Sequence, residues 1–524
     1  MKRINFFLFQ ELKVNFKIWT VVLVILFILL RLYMLQVPHL EKTKWKEIDY
    51  IQISKNYTKE GIHFWEPTIS WPAEGPRVTA MEFPLVPYLA SGLYQVFGFN
   101  AFTVRILTLI SFILLSVYLY KTVVLLTRDR GLAMLSLLLS LILPLNNIFG
   151  ILLLSEPAIV ALVMITIYHM LKWKQTDHNR YFTYSFLFFA LSLLLKPTAM
   201  YVALPMLYIY YLKTGNLKPR YYLRFVYAFF LAIIPASLWY AYAYHLTQVS
   251  IDVFGVFGGH NKFQTFAMLS NPDWWSTMFE RFYKLFGGVH MFTLFWIGFI
   301  GGVFDKSYRL FYVFFISNLI FLFVMAEGNL DAPYRQFAFI ASGSFFMGVG
   351  CITLASVLKG MYDSLTKGIR FLPFFNLRLL FGGICLILLA NFAYDFIDKT
   401  PSKTYVAHQV SYEIAQDLRS LSTEQTKIVT AGNYTVHKGG NDLSPVLYYY
   451  SGLQGWSLER KDWSLEKIKE LKSKGADLFV GMNTFTYEAD EFIDRVADHY
   501  PVICQTERYV ICDLSQKEGV SEGF

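Results

Sequence analysis

The sequence predicts a polytopic α-helical membrane protein of about eleven transmembrane helices, with a small extracytoplasmic α/β domain at its C-terminus. Three observations predict it. Of 524 residues, 55% are hydrophobic and only 16% are charged, whereas soluble domains carry about 45–50% apolar and about 25% charged residues. Too few polar groups remain to cover the apolar surface in water. Apolar runs of near-bilayer length recur up to residue 396, and basic residues fall in every second short connection between them.

A span needs about 20 apolar residues. The runs place spans near 18–36, 103–125, 131–148, 156–172, 180–195, 199–213, 222–243, 289–303, 308–326, 337–357 and 377–396. The first, from Trp19 to Leu35, is long enough to cross and is followed by no small-residue cleavage site, so it reads as a helix rather than a removed signal. Lys2, Arg3, Lys13 and Lys17 precede it and put the N-terminus inside. The alternate short loops carry Arg128 and Arg130, Lys172 and Lys174, Lys213 with Lys218 and Arg220, Lys306 and Arg309, then Lys359, Lys367 and Arg370. That is the positive-inside pattern, and it accounts for the net charge of +9 without nucleic acid.

Three segments then fall outside: a long first loop, 37–102, an aromatic and Gly-rich stretch, 244–288, and the tail. The chain divides into a transmembrane domain, 1–396 with its first loop, and a domain at 397–524. In the tail, YVAHQVSYEIAQDLRSL and SLEKIKELKSKG have helical apolar spacing, while KIVTA and DLFVGM read as short buried strands. Alternation of this kind specifies an α/β domain. PVICQTERYVICDL reads as a hairpin, and its Cys504 and Cys512 are either disulfide-bonded or two buried thiols. In LYYYSGLQGW the aromatic run reads as core in preference to a sugar-stacking surface.

Chemistry concentrates in the outer segments. The first loop holds Glu47, Asp49, Glu66, Glu74 and Glu82 among Trp45, Trp65 and Trp71. Residues 46–58 form a helix on the membrane surface, and Pro84 to Phe97 a second, with Pro84 near its start. Acidic groups against a membrane are costly unless paired or wet. A carboxylate base for an acceptor hydroxyl or amine is one reading of them, and salt bridges to Lys42, Lys44 and Lys46 the other. Glu156 in LLLSEPAIV stands at the outer end of a span, where it serves either a site or the helix macrodipole. Lys196, in LLLKPTAM, and Arg335, in EGNLDAPYRQF, are outer cations suited to a lipid-linked phosphate. Snorkelling of Lys196 and pairing of Arg335 with Asp331 or Glu327 are the plainer readings. Tyr334, beside Arg335, is grouped with it for substrate binding. His245, His260 and His290 have no metal-ligand spacing. No nucleotide-binding or nucleophile-elbow motif occurs.

WKEIDYIQISKNYTKEG resembles the first-loop signature of GT-C superfamily membrane glycosyltransferases, in the branch of the protein O-mannosyltransferases and the aminoarabinose transferase of lipid A. Asp49 with Ile53, Ser54, Lys55, Asn56 and Tyr57 carries the likeness. Pro84, Leu85, Phe97, Gly98 and Arg105 are similar to the signature that follows, and Glu156 falls where the family places an acidic residue. Many relatives have an adjacent Asp-Glu pair. Here Ile48 separates Glu47 from Asp49, which makes Asp49 the first choice of base and Glu47 the second. Relatives of the lipid A enzyme carry Lys where this chain has Phe83.

The resemblance implies sugar transfer from a polyprenyl-phosphate donor to a glycan, lipid or protein acceptor, on the extracytoplasmic face of the cell membrane and with inversion. Asp49 or Glu47 would be catalytic. Glu82, Glu156, Lys196, Tyr334 and Arg335 would bind substrate, with Lys196 or Arg335 on the leaving phosphate. No cofactor is required, and a divalent cation is left open. A transporter or flippase of a lipid-linked sugar would place charges near mid-span and repeat its halves, and neither is seen. A surface-polysaccharide polymerase or ligase would carry its large outer loop late.

Overall fold

The computed structural model describes parts of residues 21–35, then residues 45–71, 77–216, 218–250, 257, 265–365, 409–432, 445–458, 460–482 and 487–516. Helix α1 (Trp45–Glu60) and helix α2 (Leu85–Phe97) come from the first loop. Apolar helices follow: α3 (Ala101–Thr127), α4 (Arg130–Ile142), α5 (Pro144–Phe149), α6 (Ser155–Thr176), α7 (Asn179–Leu195), α8 (Ala203–Thr214) and α9 (Leu223–Val249). Then come α10 (Pro272–Leu285), α11 (Gly288–Gly301), α12 (Arg309–Val324), the short α13 (Ala326–Asp331) and α14 (Ile340–Leu365). The tail supplies α15 (Gln409–Leu421), α16 (Val446–Ser451), α17 (Leu465–Ser473), α18 (Tyr487–His499) and five strands.

Helices stand at nine of the eleven expected spans, but not all of them are long enough to cross. Among the described residues five helices are long and apolar enough, or six if α10 and α11, bent by 97°, count as one. The expected span 377–396 and most of 18–36 lie outside the described residues. Proline accounts for much of the shortfall. The run 131–148 is two helices, because Leu143, ahead of Pro144, takes an extended ψ of 131° and ends α4. The run 199–213 begins as a 3-10 segment, Pro197–Val202, which leaves α8 only 12 residues.

The chain forms two compact units. The first comprises residues 1–37, 104–242 and 258–400. Its helices pack closely where glycine lets backbones meet: a Cβ on Gly298 of α11 would lie 1.8 Å from the Phe346 carbonyl oxygen of α14, and one on Gly350 2.0 Å from that of Leu294. Small residues at such crossings are the usual means by which membrane helices approach. Asp129 starts α4 by accepting a hydrogen bond from the Leu132 amide at 2.9 Å.

The second unit comprises residues 38–103, 243–257 and 401–524. Its centre is a five-stranded sheet of order β2-β1-β3-β5-β4, with β1 (Lys427–Ala431), β2 (Gln454–Ser457), β3 (Leu478–Met482), β4 (Val502–Gln505) and β5 (Tyr509–Asp513). β1 runs parallel to β2 and β3, and the β4–β5 hairpin joins β3 antiparallel. Val429, Phe479, Ile468, Phe492 and Val496 form its core. Tyr448, Tyr450 and Trp456 are buried, as the core reading of LYYYSGLQGW expects. Cys504 and Cys512 are free thiols. The register explains why: Cys512 lies opposite Val502 and Cys504 opposite Ile511. α1 packs on α16, where the Lys55 ammonium stands 4.1 Å from the Tyr449 ring centroid.

Candidate active site

The site residues fall into two groups, one in each unit. In the second unit, α1 presents Lys46, Asp49 and Tyr50, all on one side, because positions three and four apart share a helix face. Glu82 comes from the segment after the Thr68–Val78 bridge, which is held by Thr79 N–H to Pro67 C=O at 2.8 Å. Lys46 forms an ion pair with Glu82, and the Tyr50 hydroxyl donates to the other Glu82 oxygen at 3.4 Å.

Asp49 is buried, and its Oδ1 has no hydrogen-bond partner among the described residues. Burial holds its carboxyl well above the ordinary range. Lys46 pulls it down and Glu82 pushes it further up, both less strongly than burial. Glu47 is fully buried too. Two helical positions are about 200° apart around the axis, so Glu47 and Asp49 do not serve the same point in space.

In the first unit the residue before Pro197 is excluded from helical geometry. Lys196 accordingly ends α7 in an extended conformation, with φ −163° and ψ 124°. Its ammonium pairs with Glu156 in the first turn of α6. Both side chains are only 8% exposed, so Lys196 does not snorkel to the surface. Its Nζ is 5.4 Å from the Tyr334 ring centroid, and Phe149 at the end of α5 meets that ring edge-on at 6.3 Å.

Tyr334 and Arg335 lie on a 3-10 segment, Pro333–Phe339, that packs against α5 and α6. Arg335 makes no ion pair with Glu327, and its Nε and Nη1 have no hydrogen-bond partner among the described residues.

Supporting residues went unread in the sequence. Arg31 is buried and donates to Gly150 C=O at 2.8 Å, Asn146 C=O at 2.9 Å and Asn146 Oδ1 at 2.7 Å. It thereby clamps the break before Glu156. Arg281 of α10 donates to the Asn329 and Leu330 carbonyls at 2.7 and 2.8 Å, holding α13 ahead of the 3-10 segment. The hidden signal was a cation in or beside an apolar run, which has to find an acceptor. Among the described residues no group of three or more His, Cys, Asp or Glu side chains is placed to hold a metal ion.

The fold is that of the GT-C membrane glycosyltransferases, the class the first-loop signature resembles. Residues 79–239, which include Glu82 and Glu156, match the family model of the dolichyl-phosphate-mannose-protein mannosyltransferases. Among solved structures, ArnT from Cupriavidus metallidurans bound to undecaprenyl phosphate superposes with a TM-score of 0.65 at 13% identity, over 95% of this chain and 98% of that one. The apo state of ArnT gives 0.64 at 12% identity over the same shares. The archaeal oligosaccharyltransferase AglB from Archaeoglobus fulgidus, in complex with an inhibitory peptide and a dolichol-phosphate, gives 0.54 at 11% identity, over 93% of this chain and 73% of that one. No curated protein matches the sequence.

Proposed function

We propose that this protein is a glycosyltransferase of the cell membrane that moves a sugar from a polyprenyl-phosphate donor to an acceptor on the extracytoplasmic face, with inversion. The observation that carries the reading is Asp49: a buried carboxyl with an open oxygen, on a helix whose Lys46 pairs with Glu82. The mannosyltransferase family model over residues 79–239 and the likeness in fold to ArnT, solved with undecaprenyl phosphate, support the donor class.

In the proposed reaction the acceptor hydroxyl or amine attacks the sugar C1 from the side opposite the phosphate. The acceptor–C1 bond forms as the C1–O bond to phosphate breaks. Asp49 takes the acceptor proton, and polyprenyl phosphate leaves. A carboxyl held above its ordinary range is a better proton acceptor at neutral pH than an exposed one. Lys46, paired with Glu82, fixes the face of α1 from which Asp49 acts. Glu47 is the second choice of base. Charge grows on the departing phosphate, where a preplaced cation is most effective. Arg335 suits that task, because Lys196 is already paired with Glu156. Glu156, Lys196 and Tyr334 shape the donor side. The reaction balances without a cofactor.

The test is transfer of radiolabelled sugar from synthetic polyprenyl-phosphate sugars to a membrane extract by the purified chain. Asp49→Asn lowers transfer by about 10²–10⁴-fold, the usual worth of a general base. Activity within tenfold of wild type would remove Asp49 from the mechanism and bring Glu47→Gln forward.

A further inference from the structure

Away from the proposed site, the first unit carries a polar cluster inside its apolar helices. His169 of α6 is ringed by aromatic side chains. Tyr181 and Phe188 of α7 stack on it at 5.8 and 5.9 Å, with interplanar angles of 23° and 12°. Tyr118 of α3, with Tyr168 and Tyr184, completes the ring at 6.1, 5.4 and 5.5 Å. His169 Nδ1 is buried and has no hydrogen-bond partner among the described residues. Lys121 of α3 stands 5.2 Å from the Tyr118 centroid and 5.9 Å from that of Tyr168. Lys172 of α6 stands 5.9 Å from the same Tyr168 ring.

Two ammonium groups thus converge on one ring beside an unpartnered imidazole. Neither lysine has an ion pair among the described residues, and the nearby Asp177 is engaged by Lys213 at 2.7 Å. Lys121 is exposed and Lys172 half-buried, so both ammonium groups are reachable by an anion, which would relieve the repulsion between like charges gathered at one ring. Ionisable groups set inside a span are expensive and point to a ligand. The helix ends confirm that the cluster lies below one common rim, since Gln175 near the end of α6 bonds the Leu125 carbonyl near the end of α3. Lys121 and His169 sit six and seven residues inward of the ends of α3 and α6, roughly 10 Å at 1.5 Å per residue. The headgroup layer on each side of a bilayer is about 5–8 Å deep, so a helix ending at its outer edge carries such side chains to the boundary between phosphates and acyl chains. Leu187, 59% exposed, and Tyr184, 44% exposed, continue the patch as apolar surface.

We propose that Lys121, Lys172 and the aromatic ring around His169 form a binding site for the phosphate headgroup of an anionic glycerophospholipid, whose acyl chains lie along α7. The ammonium groups hold the phosphate, the imidazole meets its oxygens, and the tyrosine rings cover the glycerol. The site is independent of sugar transfer.

The test is a thermal-shift titration of the purified full chain in detergent, with phosphatidylglycerol, phosphatidylcholine and inorganic phosphate as separate probes. Phosphatidylglycerol raises the unfolding temperature saturably, whereas phosphatidylcholine and inorganic phosphate do not. Lys121→Gln with Lys172→Gln weakens the phosphatidylglycerol midpoint roughly 10–30-fold, from about 1 kcal/mol for each basic group near anionic lipid. Arg128→Gln with Arg130→Gln, two exposed cations outside the ring, weakens it less than about threefold. Lys121→Arg with Lys172→Arg retains binding and serves if the Gln variant does not fold. Equal shifts by phosphatidylcholine, equal shifts by inorganic phosphate, or equal losses in the two Gln variants would each overturn the proposal.

Discussion

The Glu156–Lys196 ion pair is the firmest place to test the energetics of the first unit. Both side chains are 8% exposed and 40 residues apart in the chain, so neither retains water if its partner is removed. Stranding one buried charge costs about 3–5 kcal/mol. At about 2.1 cal/mol/K of unfolding entropy per residue, a chain of this size loses roughly 1 °C for each kcal/mol, so Glu156→Gln and Lys196→Met each lower the unfolding temperature by roughly 3–5 °C. The double variant strands no charge, and replacing a whole buried pair by apolar or neutral groups is often close to neutral. The double variant therefore regains most of what the two singles lose together, a coupling of about 6–10 kcal/mol if it is fully neutral. Thermal unfolding in detergent, followed by tryptophan fluorescence, measures all four corners of the cycle. Additive losses, with the double variant as unstable as the two singles combined, would refute the reasoning. Sugar transfer supplies an independent readout. If the pair serves the donor side, the double variant recovers stability but not transfer. If it recovers both, the pair is scaffold alone.

Three further outcomes follow from the same structure. Burial raises the Asp49 carboxyl, so transfer rises with pH through a group well above the ordinary value of about 4, and Asp49→Asn abolishes that limb. The sign for stability is opposite: the folded state binds the proton more tightly than the unfolded one, so Asp49 costs stability as pH rises, and Asp49→Asn raises the unfolding temperature at pH 7. Arg31→Leu leaves the Gly150 and Asn146 carbonyls without their donor and destabilises by about 2–4 kcal/mol, read as a lower unfolding temperature. Gly298→Val drives a side chain into the Phe346 carbonyl. Overpacking costs typically 1–3 kcal/mol, and with backbone as the obstacle the value lies at or above the top of that range, seen as reduced yield and an unfolding temperature at least as depressed as that of Arg31→Leu.

What the sequence made legible was local. The helices α3, α6, α9 and α12 lie where the apolar runs place them, because a span is fixed by 20 or so consecutive residues and needs no partner to be recognised. The strands β1, β3, β4 and β5 lie in KIVTA, DLFVGM and the expected hairpin. The breaks at Pro144, Pro197 and Pro333 were visible as prolines, yet whether a proline kinks a helix or ends it depends on its neighbours. Pro235 stays inside α9, while Pro197 ends a helix and turns Lys196 toward Glu156.

The site divides along the same line. The sequence singles out Asp49 by its neighbourhood and ranks Glu47 second; the helix of α1 then puts these two carboxyls about 200° apart around its axis. Lys46 was readable as a salt-bridge partner for the first-loop carboxylates, but which carboxylate it takes, and what Arg31 reaches, was not. Lys46 pairs with Glu82 across 36 residues, and Arg31 reaches Asn146 across 115. Such contacts carry no periodicity and are set by how the helices pack. In the sequence Lys121 is one residue of an apolar run and Lys172 one of a basic pair with Lys174. Only packing places them around His169.

Pairing also decides between the two cations that the sequence left equal for the donor phosphate. A Lys–Glu pair with both members buried is close to neutral from outside, and its field on an incoming anion is that of a dipole, which falls off faster than that of a free charge. A guanidinium with open nitrogens keeps its full charge and a fork that fits phosphate oxygens. Under the proposed reaction, then, Arg335 carries the interaction that strengthens as charge develops. Lys196 and Glu156 instead hold the wall against which Tyr334, its neighbour in sequence, is set. Loss of Arg335 belongs in the rate of the chemical step, and loss of the pair in the shape of the donor pocket.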